Sequence, residues 1–147
     1  MNISSVLFCC NYNSVRSPMA EGIFKKLIDR KIFVQSAGVF DTLEIDGFTV
    51  KVCDEIDVKL SKHRVRSLKE MEMQGGFTGS FDLVITLTKE ALEEVEKYSS
   101  YSSVMIESWI VKEPLIVEND VNQTLRSYRS ARDLILDKIN ERFRDYL

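Results

Sequence analysis

The run Cys10-Asn11-Tyr12-Asn13-Ser14-Val15-Arg16-Ser17-Pro18 sets a thiol six positions ahead of a guanidinium, with a loop between them. A thiolate is a strong nucleophile, and an arginine offers a planar fork that binds two oxygens of a phosphate-like anion at once. If the intervening amides turn the same way, they form a concave nest for an oxyanion directly above the sulfur. The chemistry expected of such a site is phosphoryl transfer through cysteine.

A loop of this kind needs rigid elements on both sides. Upstream, Ile3 to Cys9 carries Val6, Leu7 and Phe8 in a short apolar run without helical spacing, which predicts a strand buried on both faces. Downstream, Pro18 suits the first position of a helix, where its missing N–H has no partner to lose. Ser17 is then the expected N-cap. Met19, Ile23 and Leu27 recur at four-residue spacing beside Ala20 and Phe24, giving that helix an apolar face. Residues 11–15 join strand to helix. The helix N-terminus contributes unpaired N–H groups and roughly half a positive charge, a field in which Cys10 is expected to reside as thiolate.

The chain has 147 residues, 29% of them charged and 44% apolar, as expected for one globular domain over 1–147. A net charge of −3 and the lack of a basic block argue against nucleic acid as the main partner. Lys62, Arg64, Arg66 and Lys69 read as a solvated face that helps attract anions. No positive flank and long apolar core mark the N-terminus as a signal peptide, and no run approaches a membrane span, so a cytoplasmic location is expected. Of the three cysteines, Cys9 reads as a packed strand residue and Cys53 as a core residue near Val52 and Ile56. No metal-ligand spacing occurs, and neither a metal nor another cofactor is expected.

The rest of the chain alternates strand and helix. Ile32 to Ser36 predicts a second strand, ending at Gly38; residues 47–57 a helix; 65–73 a shorter one. Gly75, Gly76 and Gly79 predict a surface connection. Phe81 to Leu87 predicts a strand, Lys89 to Tyr98 a helix and Ser103 to Ile106 a fourth strand. From about Glu118, the spacing Val121, Leu125, Tyr128, Ile135, Ile139 and Phe143 predicts a long amphipathic closing helix. Such alternation predicts a parallel sheet covered by helices on both faces, with the site at the carboxyl ends of the strands.

Val6-Leu7-Phe8-Cys9-Cys10 followed by Asn13-Ser14-Val15-Arg16-Ser17-Pro18-Met19-Ala20-Glu21-Gly22 resembles the low-molecular-weight protein tyrosine phosphatases and the related arsenate reductases. The resemblance continues at Ser36-Ala37-Gly38, at Ile56-Asp57-Val58 leading to Ser61-Lys62-His63-Arg64, and at Phe81-Asp82-Leu83-Val84-Ile85-Thr86. It implies a three-layer αβα sandwich with a four-stranded parallel sheet in the order 2-1-3-4.

Carried over position by position, the resemblance implies Cys10 as nucleophile, Arg16 as clamp on the phosphoryl oxygens and Ser17 as donor to the sulfur. Asn13 braces the loop, and Asn11, Tyr12, Ser14 and Val15 contribute mainly backbone N–H groups. His63 is expected to brace or pack rather than catalyse. The family's Asp-Pro pair, which supplies the proton for the leaving group, is represented by Glu113-Pro114, with Asp120 and Asp41 as alternative acids. Two further departures stand out: Tyr12 in place of a common glycine, where it lines the pocket mouth or is simple loop surface, and Val15 where many members have a second cysteine. Without that cysteine, a protective disulfide to Cys10 is not expected.

Three functions follow. The first is a phosphatase acting on phosphotyrosine or other aryl phosphates, whose partner would be a phosphorylated protein or a small phosphate monoester. The second is an arsenate reductase, which would need an external thiol because no cysteine follows Cys53. The third is a degenerate protein that binds phosphorylated ligands without turnover.

Overall fold

The computed structural model describes residues 2–28, 32–75, 80–98 and 104–147. Four parallel strands, β1 (Ser5–Cys10), β2 (Phe33–Gly38), β3 (Leu83–Thr86) and β4 (Met105–Ser108), pair in the order β2-β1-β3-β4. Helices α1 (Arg16–Leu27), α2 (Gly47–Asp54), α3 (Leu68–Met73), α4 (Lys89–Tyr98) and α5 (Val121–Arg142) complete the expected α/β sandwich. Among the described residues, no helix is long and apolar enough to cross a membrane.

Strand β1 is buried along its whole length, and its alternation divides the core. Val6, Phe8 and Cys10 join one cluster with Met19, Ile23 and Phe24 of α1, Val52 and Cys53 of α2, and Leu125, Ile135 and Ile139 of α5. Leu7 and Cys9 join the other, with Leu68 of α3 and Ala91 and Val95 of α4. Phe24 meets Phe8 edge-on at 5.9 Å and Phe143 at 5.0 Å between ring centroids. Burying each such ring contributes roughly 1.5–3 kcal/mol. The sheet register sets Cys10 beside Gly38 and Cys9 beside Thr86, with Thr86 beside Ser108, so the strands end together at the edge that carries the Cys10 loop.

Element ends depart from the sequence pattern for local reasons. Helix α2 stops at Asp54 rather than at 57, because Ile56 and Val58 N–H groups both return to Cys53 O and Asp57 adopts φ 61°. Helix α3 begins at Leu68, where the Ser67 hydroxyl caps Glu70 N–H. Asp120 caps Gln123 N–H, so α5 begins at Val121. Strand β2 runs to Gly38, β3 is confined to Leu83–Thr86, and β4 extends to Ser108. Ser103, Gly76 and Gly79 lie outside the described residues.

Helices α2 and α5 are fastened by charge. Arg129 grips Glu55 through two bonds of 2.8 and 2.6 Å, and buried Arg132 reaches both Glu55, at 2.8 Å, and Val52 O, at 2.7 Å. The hydrogen bonds from Arg129, aided by those from Arg132, draw the Glu55 carboxyl down to about 2, so it is ionised throughout the neutral range. This clamp fixes the helix whose N-cap, Asp46, faces the Cys10 loop.

Candidate active site

Cys10 closes β1 and is 2% exposed, and the chain turns through residues 11–15 into α1. The expected N-cap role of Ser17 is not realised. Helix α1 begins at Arg16 with Val15 at the cap position and no side-chain cap, because the Ser17 side chain is turned back to the thiol. Ser17 Oγ lies 2.9 Å from Cys10 Sγ, and Ser17 N–H donates to the same sulfur at 3.4 Å.

The direction of these bonds follows from the backbone. Arg66 N–H must donate, and it meets Asn13 Oδ1 at 3.0 Å. The Asn13 amide nitrogen therefore faces the other way, donating to Ser17 Oγ at 2.9 Å and Ser36 Oγ at 2.8 Å. Ser36 in turn donates to Glu21 Oε1 at 2.7 Å, and the Glu21 carboxylate is paired with Lys25. With an acceptor site of Ser17 filled by Asn13, its hydroxyl hydrogen is free to point at Cys10 Sγ, the nearer of its two acceptors; Ala37 O lies at 3.4 Å. His63 Nε2 is 3.0 Å from the same Asn13 Oδ1 and so carries the hydrogen there. Burial, with the nearby Arg66 and Lys25 charges, holds the His63 imidazole below its ordinary value, against an opposing pull from Glu21.

Asn13 also bends the loop. It is fully buried and takes a left-handed backbone with φ 56°, a conformation asparagine tolerates better than most residues. Tyr12, at the family's glycine position, needs no such angle. Val39 and Phe40 N–H groups clasp the loop through Cys10 O and Asn11 O. Between them Gly38 has no room for a side chain: a Cβ would lie 2.6 Å from Asn13 N and Tyr12 C. Gly38→Ala is therefore expected to push the loop away from β2, lowering stability by about 1–3 kcal/mol and weakening phosphate binding. Calorimetric melting beside a phosphate titration checks both.

Above the sulfur is a cavity of about 260 Å³ whose walls include Cys10, Tyr12, Arg16, Thr42, Asp46, Glu113 and Tyr128. Arg16 is 8% exposed; its Nη1 donates to Val111 O at 2.9 Å, while its buried Nε has no hydrogen-bond partner. Among the described residues, no group of three or more His, Cys, Asp or Glu side chains is placed to hold a metal ion.

The low molecular weight phosphotyrosine protein phosphatase family model matches residues 5–147. The chain belongs to this family. Its fold superposes on a tyrosine phosphatase from Erwinia amylovora with TM-score 0.79 at 16% identity, covering 99% of this chain and 94% of that one. For a low molecular weight protein tyrosine phosphatase from T. tengcongensis the values are 0.74 and 26%, over 96% and 98%. Among curated relatives, Arsenate reductase 2 of Staphylococcus saprophyticus is 26% identical over 141 residues, 96% of this chain and 97% of that protein.

Within the family framework, the carboxylates at the cavity are Glu113 and Asp46. Asp120 is engaged as the α5 cap, and Asp41 does not line the cavity, although its neighbour Thr42 does. Asp46 is committed too: Oδ1 accepts from Phe48 and Thr49 N–H groups, and Oδ2 accepts from Tyr128 OH at 2.7 Å. Burial first, then that bond and the charges of Asp46 and Glu113, push the Tyr128 phenol well above its ordinary value, so it stays a donor. The sequence pattern does not single out Asp46, and it assigns Tyr128 to a core face. Glu113 is exposed and carries no comparable set of bonds.

Tyr12 settles at the mouth, 48% exposed, its ring tilted against Phe40 at 5.4 Å. The other thiols lie in the core. Burial, reinforced by the neighbouring Cys10, pushes Cys9 well up, and burial pushes Cys53 to about 12, so both stay protonated.

Proposed function

We propose that this family member is a cysteine-dependent phosphatase acting on phosphotyrosine or other aryl phosphate monoesters through a phosphocysteine intermediate. The observation that carries the reading is the Asn13–Ser17–Cys10 chain, in which Ser17 Oγ lies 2.9 Å from the sulfur and Ser17 N–H donates to it at 3.4 Å. Pure anion binding needs no donor on a thiol. A sulfur that must leave phosphorus as thiolate does.

The Cys10 thiolate attacks phosphorus, the P–O bond to the aryl group breaks, and Glu113 protonates the departing phenoxide. Loop N–H groups and Arg16 hold the three equatorial oxygens as charge spreads over them. Water then attacks the phosphocysteine, giving a proton to the Glu113 carboxylate. Orthophosphate forms as the S–P bond breaks, and the Ser17 hydroxyl receives the thiolate by hydrogen bond. Tyr12 and Phe40 offer the aryl ring an aromatic wall.

Glu113→Gln is expected to lower kcat on p-nitrophenyl phosphate by about 10²-fold. The loss should grow with esters of poorer leaving groups, which need the proton more. A loss below about threefold, constant across leaving groups, would remove Glu113 as the acid.

The names of the curated relatives support a second reading, arsenate reduction. Arsenate bound to Cys10 would take up two electrons as Cys10 and an external thiol form a disulfide; buried, protonated Cys9 and Cys53 are poorly suited to that role. The two readings separate in one assay with glutathione present. Arsenate-dependent thiol oxidation without aryl phosphate hydrolysis would favour the reductase. Phosphate binding with neither reaction would leave a phospholigand-binding protein.

A further inference from the structure

At the other end of the Asn13 bonds from the thiol is a second cavity, a groove of about 580 Å³ between α1 and the 57–66 segment. Six cationic side chains line it, Lys25, Lys26, Lys59, Lys62, Arg64 and Arg66, together with His63, against the carboxylates of Glu21 and Asp57. The chain contains 20 Lys and Arg against 23 Asp and Glu, so outside the groove fourteen cations stand against twenty-one anions. The groove is a strongly positive feature on an acidic protein, and a cleft focuses such a field.

Its cations are unequally satisfied. Lys25 pairs with Glu21, Lys26 with Asp57, and Lys59 with Asp54 and Asp57. Lys62, Arg64 and Arg66 have no ion-pair partner among the described residues, and Arg66 Nη1 is buried without a hydrogen-bond acceptor. A buried unsatisfied guanidinium donor is uncommon and calls for a partner. Arg64 and Arg66 also line an adjoining hollow of about 280 Å³, which adds Glu70 and no further cation.

We infer that this groove is a binding site for a polyphosphate chain, distinct from the catalytic loop. Two arginine forks and a free lysine match successive phosphoryl groups. An extended, highly charged ligand without apolar side chains fits these walls better than a peptide. Arg66 and His63 connect the groove to the loop, because both bond to Asn13 Oδ1.

His63 is the chain's single histidine and serves as a native reporter. Inorganic tripolyphosphate is titrated into the full chain with saturating orthophosphate present to occupy the catalytic loop, and the His63 imidazole resonance is followed by NMR. A saturable shift is expected. In the Lys62→Gln/Arg64→Gln variant, whose replaced side chains are exposed, affinity should fall about tenfold or more. Unchanged affinity in that variant, or loss of the shift when orthophosphate is added, would overturn the assignment. So would binding of a short RNA duplex in the absence of any tripolyphosphate binding, which would point to nucleic acid instead. The readout is binding alone, so it fails or succeeds independently of phosphatase activity.

Discussion

Replacing Cys10 by serine is expected to lower turnover of p-nitrophenyl phosphate by roughly 10⁴-fold or more while leaving phosphate binding in place. Arg16 and the bonds that Asn13 makes to Ser36 and Arg66 do not depend on the sulfur, so the anion cradle survives the change. What disappears is the sulfur nucleophile. A serine hydroxyl is a much weaker nucleophile than the thiol it replaces. The variant should bind orthophosphate with near-native affinity by calorimetry and keep the native fold. Turnover above about 1% of the parent rate would mean the reaction does not pass through the sulfur, and the phosphocysteine pathway would have to be abandoned.

Arg16→Lys should reduce kcat/KM by about 10²–10³-fold, with most of the loss in kcat. Charge is conserved, so simple attraction of the dianion changes little. The fork is lost, and with it the ability to follow the equatorial oxygens as they flatten in the transition state. Arg16 has a second attachment that lysine cannot keep at the same time: its Nη1 donates to Val111 O, two residues before Glu113. The guanidinium thus couples the anion cradle to the segment bearing the proposed acid. A double variant with Glu113→Gln is accordingly expected to lose less than the product of the single losses. Full multiplicativity would show that the two groups act independently and that the Val111 bond carries no coupling.

Much of the frame could be read from residue pattern alone, for identifiable reasons. β1 announces itself because a strand buried on both faces has to be continuously apolar, as Val6-Leu7-Phe8 is. α1 announces itself through Met19, Ile23 and Phe24 on one face. Other features depend on where one side chain turns. Ser17 followed by Pro18 has the pattern of a cap, yet the hydroxyl finds a better use on the sulfur. The Asp46–Tyr128 pair joins residues 82 positions apart, and no local periodicity reports a bond of that kind. Tyr128 satisfies the helical apolar spacing and still brings its hydroxyl to the cavity. Lys62, Arg64 and Arg66 look like scattered surface charge until the fold brings α1 alongside them.

The reach of that cavity from Cys10 to Tyr128 also bears on biosynthesis. A ribosome adds roughly 5–20 residues per second, so the nucleophile is made several seconds or more before the α5 residue that completes its pocket wall. Throughout that interval the nascent chain carries the thiol, the arginine and the β1–α1 loop, but not the helix that packs on α1 and α2. Catalytic competence should therefore arise in a single late event, when α5 docks, rather than growing with chain length. Ribosome-bound intermediates stalled before residue 128 should be inert toward aryl phosphates even though every residue from Cys10 to Ser17 has already been made.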